Sequence, residues 1–175
     1  MVGACLGGRR EGGCAMPGPP REILQLPHNR RCADCAAREP RWASVNLGVF
    51  ICEVCSGIHR NLGTHITQVR SVTLDEWKPP WVDTVRQVGN ARAKAYYEHD
   101  VPEAERFGGD VELAGGDRIN PDMARGLERW IRAKYELRRY APQGVPEPHH
   151  AGIAPPLDAP AHGAGATGAG ARDAR

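Results

Sequence analysis

The sequence has no apolar run close to the roughly 18 residues that a helix needs to cross a bilayer. Its first residues, MVGACLGGRREGGCAMPGPP, also lack the continuous apolar stretch of a secretory signal, so we expect no export. Hydrophobic residues make up 41% of the chain and charged residues 25%, which is typical of a globular protein. We therefore predict a soluble, cytoplasmic protein without a transmembrane segment.

The chain also lacks a strong excess of charge of either sign. The formal net charge is +2, and the basic and acidic residues are interspersed rather than gathered into a basic stripe. Proteins that bind nucleic acid usually carry such a stripe, so we expect no nucleic-acid partner. A modest basic face toward an anionic membrane remains open.

Motifs for bound nucleotide or for covalent catalysis are absent as well. No G-x-x-x-x-G-K-[ST] segment occurs, and no nucleophile–base pair stands out. The sequence therefore shows neither a loop for holding a nucleotide itself nor a site for covalent catalysis.

Composition divides the chain into three parts. All ten aromatic residues lie in 21–140, so we place the folded domain there. Residues 1–20 are rich in glycine and end in PGPP, and residues 141–175 are rich in alanine, glycine and proline. Neither end carries enough bulky apolar side chains to offset the entropy of ordering, so we predict a disordered leader and a disordered tail.

Within 21–140, short apolar segments alternate with segments of helical periodicity. The predicted helices are REILQL, Glu53 to Leu62 ending at Gly63, PPWVDTVRQVG, ARAKAYYEH with Asn90 as its cap, and a last helix that Asn120 caps and whose core stripe is Met123, Leu127, Trp130 and Ile131. The predicted strands are RWASVN, VFI after a turn at Gly48, and VRSVTL. This pattern predicts an α+β fold with a short antiparallel sheet surrounded by several helices, and the cysteines at positions 32, 35, 52 and 55 make it a small zinc-finger-based domain.

Two cysteine pairs form the most specific motif of the sequence. Cys32 and Cys35 are followed after sixteen residues by Cys52 and Cys55, a spacing typical of four-cysteine zinc sites. Two intervening residues let a tight turn aim both sulfurs at one ion, and the interval is long enough for a hairpin that returns the second pair. Iron of the rubredoxin kind and a redox pair are the alternatives.

Four thiolates complete a tetrahedron, so we expect one structural zinc ion with no open coordination position. His59 and His65 lie nearby, but with four cysteines available we expect them to pack and to form hydrogen bonds. Cys5 and Cys14 fit no ligand spacing and are expected to be free thiols.

Arg60 follows Cys55 by five residues, which is about 140° around a helix axis. If one helix contains both residues, the arginine projects away from the metal toward another surface. An arginine at this position can simply be a solvated surface residue, so the spacing alone does not assign it a function. The surrounding sequence has to be considered as well.

The stretch from Cys32 to Trp77 resembles the catalytic domain of the Arf GTPase-activating proteins. That family is marked by C-x2-C-x16-C-x2-C-x4-R, and the chain matches every interval, with Arg60 as the last residue. The flanking phrases RWASVNLGVF, CSGIHRNLG and VRSVTLDEW are similar to the same family, and GNARAKAYYE and WIRAKYELRRY resemble its small stromal-membrane-associated branch. The resemblance covers roughly residues 21–140.

The resemblance implies a protein that stimulates GTP hydrolysis on Arf-type small GTPases and so regulates vesicle coats and membrane traffic. Arg60 would be the arginine finger that enters the GTPase. Trp42 matches an exposed tryptophan near the GTPase-facing surface, although a core role is an alternative. Asp75 would orient the arginine or contact the partner, and an ordinary capping role is its alternative; Trp77 is expected in the core.

The same resemblance implies a GTP-bound Arf-family partner and a cytoplasmic protein with transient recruitment to Golgi or endosomal membranes.

Two departures from the family pattern are visible: Thr67 stands where serine is usual, and the Gly-rich segment 107–118 looks inserted. Two other interpretations remain: a module that binds a GTPase or a coat component without accelerating hydrolysis, and a zinc-finger DNA binder of the GATA kind.

Overall fold

The computed structural model describes residues 16–19, 21–108 and 120–148. In chain order the elements are β1 (Met16–Pro17), α1 (Arg21–Gln25), a 3₁₀ turn (Pro27–Arg30), β2 (Trp42–Ser44), β3 (Val49–Ile51), α2 (Glu53–Leu62), β4 (Val69–Ser71), β5 (Glu76–Trp77), α3 (Pro79–Gln87), α4 (Gly89–Tyr97), a 3₁₀ turn (Glu103–Glu105), α5 (Pro121–Ile131) and a π-helical turn (Arg132–Glu136). Among these residues, no helix is both long and apolar enough to cross a membrane.

A three-stranded antiparallel sheet lies at the centre, in the order β3–β2–β4. Trp42 of β2 pairs with Ile51 of β3 and with Ser71 of β4. Strands β1 and β5 form a separate two-stranded antiparallel pair. A short antiparallel sheet with helices around it confirms the predicted α+β class.

The hairpin between β2 and β3 depends on Gly48. Its φ is +73°, a left-handed conformation that disfavours any side chain. A Cβ atom here would also lie 2.7 Å from the Cβ of Val88. The chain therefore needs glycine at this point both to turn and to let α3 pack close to the hairpin.

The sheet separates two hydrophobic clusters, which is why all of β3 is buried. One cluster contains Ala43, Val45 and Phe50 with Trp77 and Val85. The other contains Cys32, Cys35 and Cys55 together with Val49, Ile51, Tyr97, Leu127, Ile131 and Tyr135. Trp77, expected in the core, is 1% exposed. The alternation of side chains across the strands thus buries both faces.

Helix α2 begins at Glu53 and ends at Leu62, as predicted, with Gly63 as its C-cap. The prediction for Asn90 is wrong. Helix α4 begins one residue earlier, at Gly89, and the Asn90 side chain forms no cap. It accepts a hydrogen bond from the Phe50 amide at 2.7 Å and donates to the carbonyls of Phe50 and Arg31 at 3.0 and 2.6 Å. Asn90 therefore fastens α4 to β3, because a buried polar side chain needs partners.

The last helix starts as predicted, since the Asn120 side chain accepts a hydrogen bond from the Asp122 amide at 2.8 Å. Leu127, Trp130 and Ile131 are buried, but the prediction that Met123 belongs to the stripe is wrong, because this side chain is 41% exposed. After Ile131 the helix widens into the π turn, and the next buried residues are Ala133, Lys134 and Tyr135.

The described residues extend beyond both ends of the predicted domain, 21–140. Strand β1 precedes residue 21, and after residue 140 the carbonyl of Val145 accepts a hydrogen bond from the Tyr96 hydroxyl at 2.9 Å. The rest of the predicted leader and tail, and most of the Gly-rich segment 107–118, lie outside the described residues.

Candidate functional site

Local structure brings the two cysteine pairs together. Cys32 and Cys35 flank a tight turn in which the Ala36 amide donates to the Cys32 carbonyl at 3.2 Å, and Ala36 adopts a φ of +60°. The β2–β3 hairpin returns the chain so that Cys52 becomes the N-cap of α2. The Cys55 amide donates to the Cys52 sulfur at 3.5 Å, and the Cys52 amide donates to the Cys32 sulfur at 3.3 Å.

The four sulfur atoms lie within 4.8 Å of one another, and three of the four cysteines are buried. Sulfur–zinc bonds of about 2.3 Å place the sulfurs of a tetrahedral site about 3.8 Å apart. The Cys35 and Cys52 sulfurs, 3.5 Å apart, are already close to that separation. The donor set therefore fits a tetrahedral metal ion, and the prediction that the two pairs meet is confirmed.

Neither nearby histidine belongs to this group of sulfurs among the described residues. His65 is exposed beside Gly63, whereas His59 is fully buried. Nδ1 of His59 lies 3.0 Å from the Thr67 hydroxyl, which in turn lies 2.7 Å from the Ser44 hydroxyl. The other ring nitrogen, Nε2, lies 3.0 Å from the Asp34 carboxylate. The expected packing and hydrogen-bonding role is confirmed for His59.

Asp34, between the first two cysteines, is the centre of a buried polar cluster that the sequence did not reveal. Its other carboxylate oxygen accepts hydrogen bonds from Lys134 Nζ at 2.9 Å and from the Tyr135 hydroxyl at 3.0 Å. Lys134 Nζ also donates to Glu98 at 2.9 Å. One signal in the sequence could have indicated that Lys134 is buried. This residue continues the helical spacing of the core residues Leu127 and Ile131.

The charges of this cluster stabilise one another. Burial by itself would raise the pKa of Asp34, but Lys134 and the hydrogen bond with His59 bring it below the ordinary value. Burial would lower the pKa of Lys134, but the carboxylates of Asp34 and Glu98 raise it. The cluster therefore ties the cysteine turn to the π turn, about 100 residues further along the chain.

Replacing Lys134 with methionine is expected to lower the free energy of unfolding by about 3–5 kcal/mol, because Asp34 would remain charged and buried without its cation. Urea denaturation of the metal-loaded protein measures the loss. Lys94→Met is the matched control, since Lys94 is exposed, and it should change the free energy by less than about 0.5 kcal/mol. A loss below about 1 kcal/mol for Lys134→Met would contradict the structural role of the ion pair.

Helix α2 separates the four sulfur atoms from Arg60, as the helical geometry predicts. Its inward face carries Cys55, Ser56, His59 and Leu62, whereas Arg60 is exposed. Arg60 lies in the last turn, where the helix dipole favours a cation. Within the part of the chain that the structure describes, no carboxylate forms an ion pair with its guanidinium.

The guanidinium of Arg60 rests on the half-buried indole of Trp42. The Cζ atom lies 4.3 Å from the ring centroid, a cation–π contact between α2 and β2. Such a contact at an exposed site contributes only about 0.5–1 kcal/mol. It holds the side chain at the surface without preventing its movement toward another molecule. The structure thus places two of the predicted site residues, Arg60 and Trp42, in contact with each other.

The third, Asp75, lies in the turn between β4 and β5. Its carboxylate accepts a hydrogen bond from the Ser71 amide at 2.6 Å, which is the capping role that the sequence left open. A second aromatic–cation group was missed: Arg70 and Lys78 approach the ring of Trp81 at 5.1 and 5.3 Å. Arg70 lies in β4, whereas Lys78 and Trp81 lie at the start of α3, so no single segment contains the whole group.

Comparison with known proteins agrees with this geometry. Residues 19–144 match the family described as "ArfGap: Putative GTPase activating protein for Arf". The chain is 45% identical over 127 residues to the probable ADP-ribosylation factor GTPase-activating protein AGD15 of Arabidopsis thaliana, a match that covers 72% of this chain and 47% of that protein. It is 43% identical over 119 residues to stromal membrane-associated protein 1 of Mus musculus, which covers 68% and 24%.

Among solved structures, the ArfGap domain of HIV-1 Rev binding protein superposes with a TM-score of 0.55 at 25% identity, and the alignment covers 73% of this chain and 85% of that domain. The chain spans about a quarter to a half of the length of the two curated relatives. The family match, by contrast, covers most of the chain and includes all four clustered cysteines and Arg60. The chain therefore belongs to the ArfGap family of GTPase-activating proteins for Arf.

Proposed function

We propose that this chain accelerates hydrolysis of GTP on an Arf-family small GTPase by inserting Arg60 into the nucleotide site of that partner. Family membership supports the reaction. The observation that carries the proposal is the position of Arg60, exposed on the outer face of α2 and held only by the ring of Trp42 among the described residues.

In this reaction the chain contributes electrostatic stabilisation rather than a nucleophile. The Arg60 guanidinium would donate hydrogen bonds to the phosphoryl oxygens on which charge develops in the transition state. Such a finger contributes about 10³ to 10⁵ in rate, or roughly 4–7 kcal/mol of barrier. Leaving Trp42 costs about 0.5–1 kcal/mol at most, so the contact does not oppose the transfer appreciably.

The metal would serve the fold. We propose that Cys32, Cys35, Cys52 and Cys55 hold one zinc ion, which fills all its coordination positions with sulfur and leaves none for water or substrate. Its contribution would be folding energy, fixing the start of α2 so that the rest of the helix presents Arg60.

The test is a hydrolysis assay with GTP-loaded Arf on liposomes, in which phosphate release is followed with and without the protein. Acceleration at substoichiometric protein is expected, because the finger is released with each turnover. Stable binding of GTP-loaded Arf without faster hydrolysis would contradict the proposal and favour a module that only binds the GTPase.

Trp42 is expected to contribute to both the resting contact and the partner interface. Trp42→Ala should lower kcat/KM for Arf-bound GTP by about tenfold, because an aromatic anchor at an interface commonly contributes more than 1 kcal/mol. Trp42→Phe keeps a ring face for Arg60 and should retain most activity. Leu137→Ala, at a side chain that is 69% exposed, is the control. An unchanged kcat/KM for Trp42→Ala at unchanged metal content would contradict this role.

We further propose Asp75 as a partner-contacting residue at the β4–β5 turn, in addition to the hydrogen bond that its carboxylate accepts from the Ser71 amide.

The family and the named relatives support a role in vesicle-mediated traffic, in the cytoplasm with transient recruitment to Golgi or endosomal membranes. Peripheral contact with anionic lipid would bring the chain to membrane-bound Arf.

A further inference from the structure

We propose that residues 16–18 position the turn that presents Asp75 to the GTPase. They contact both ends of this turn, which comprises residues 72–75 between β4 and β5. We call residues 16–18 the leader clamp. The inference rests on the proposed role of Asp75 in partner contact, and it gives a positioning function to a segment that precedes the family match, which begins at residue 19.

The far end of the turn is held by backbone pairing. Strand β1 lies antiparallel to β5, with Met16 opposite Trp77 and Pro17 opposite Glu76. Trp77 is fixed in the core, where its indole N–H donates a hydrogen bond to the Ser71 carbonyl at 2.9 Å. The leader clamp is therefore attached to the strand that immediately follows Asp75.

The near end of the turn is held by Gly18. A Cβ atom at this position would lie 2.1 Å from the carbonyl oxygen of Val72, closer than a carbon and an oxygen can pack. Gly18 is buried, and its φ of +82° is also a conformation that disfavours a side chain. Only glycine therefore lets the leader clamp approach the first residue of the turn so closely.

Hydrogen bonds to Ser71 give the turn a defined shape. The Asp75 carboxylate accepts a hydrogen bond from the Ser71 amide at 2.6 Å, and the Ser71 hydroxyl accepts from the amides of Thr73 and Leu74 at 3.3 and 3.1 Å. All three bonds are only partly buried, so water competes with them. Contacts at both ends restrict the turn further, which orders Asp75 before a partner binds.

The turn lies next to the surface around Arg60. Ser71 is directly opposite Trp42 in the sheet, and Trp42 contacts the guanidinium of Arg60. The leader clamp, by contrast, reaches the turn through β5 and Val72 and not through α2. Loss of the clamp should therefore disorder Asp75 and leave Arg60 in place.

Gly18→Ala in the full, metal-loaded chain tests the leader clamp, because the added methyl group should displace residues 16–18 from Val72. The affinity for Arf loaded with a non-hydrolysable GTP analogue is expected to fall about tenfold, since the charged contact of Asp75 would have to be ordered on binding. KM should rise by the same factor, whereas kcat should stay within about twofold of the wild type. Calorimetric titration measures the affinity, and phosphate release gives KM and kcat.

Two further variants isolate the close contact at Gly18. Gly144→Ala is the matched control, since Gly144 has a similar φ of +73° but open space where a Cβ atom would lie, and it should bind Arf like the wild type. Asparagine tolerates positive φ but carries a Cβ atom. Gly18→Asn should therefore weaken binding as much as Gly18→Ala does.

Hydrogen exchange supplies a measurement that needs no GTPase. In Gly18→Ala the amides of Thr73 and Leu74 should exchange faster than in the wild type, because the turn has lost its support. The amides of α2 should exchange at an unchanged rate. A loss of protection throughout α2 would overturn the local role of the leader clamp.

The outcomes separate this inference from the proposed GTPase activation. Weaker binding and faster exchange in Gly18→Ala support the leader clamp even if the wild type binds Arf without accelerating hydrolysis. Unchanged affinity in Gly18→Ala overturns the inference, and so does equal weakening by Gly144→Ala. A fall in kcat at unchanged KM, or a wild type that binds no Arf, overturns it as well.

Discussion

Replacing Arg60 with alanine is expected to lower stimulated GTP hydrolysis on Arf by about 10³- to 10⁵-fold. The alanine variant would leave the charge on the phosphoryl oxygens without its counter-cation, which corresponds to roughly 4–7 kcal/mol of barrier. Arg60→Lys is expected to restore little of this rate, because lysine lacks the planar fork of donors that arginine offers to two oxygens. Phosphate release under single-turnover conditions measures the change.

The expected loss has to come from the transition state and not from the fold. Arg60 is exposed on the outer face of α2, so the variants should retain one metal ion and an unchanged thermal midpoint. Arg86→Ala removes an equally charged exposed side chain, paired with Asp83, and should retain full activity. Equal stimulation by the wild type and Arg60→Ala would exclude the arginine-finger mechanism for this chain.

Removal of the metal is expected to unfold the domain. Four sulfurs hold together the cysteine turn, the end of β3 and the start of α2, and structural zinc of this kind contributes about 10–16 kcal/mol of apparent binding energy at neutral pH. This binding energy equals or exceeds the net stability of a typical domain, which is about 5–15 kcal/mol. A strong chelator should therefore abolish the cooperative thermal transition and the circular dichroism of the helices.

Cys55→Ser is the matching variant, because it removes a fully buried ligand while changing a single atom. It is expected to reproduce the effect of the chelator even with zinc in excess. Cys5→Ser, at a cysteine that fits no ligand spacing, should leave both metal content and unfolding unchanged. Zinc added back to the chelated wild type should restore the transition. A folded, cooperative domain without metal would contradict the structural role.

The comparison of sequence and structure is clearest at α2. Its start, its end at Gly63 and the opposite directions of Cys55 and Arg60 were all predicted, because they depend on 3.6-residue periodicity and on local capping. The cysteine spacing likewise predicted the metal-site geometry, since its two turns and one hairpin are short-range features.

The prediction failed where a polar residue has a partner far along the chain. Asn90 had the chemistry of a helix cap, but its hydrogen bonds reach Phe50, 40 residues away. Lys134 drew no prediction from the sequence, and it is buried against Asp34, 100 residues away. Met123 followed the apolar stripe of α5 and is exposed. Local propensity carries no information on which element will cover a given face.

The sequence by itself determined that the four cysteines meet, which helix carries Arg60 and the family to which the chain belongs, because all three follow from intervals between neighbouring residues. Only the tertiary structure decided that Arg60 rests on Trp42 and that Asp34 is neutralised by Lys134. It also decided that Arg31 and Arg38, on either side of the cysteine turn, pair in an antiparallel bridge. These contacts join elements that the chain brings together only when the core packs, so no periodicity or spacing could express them.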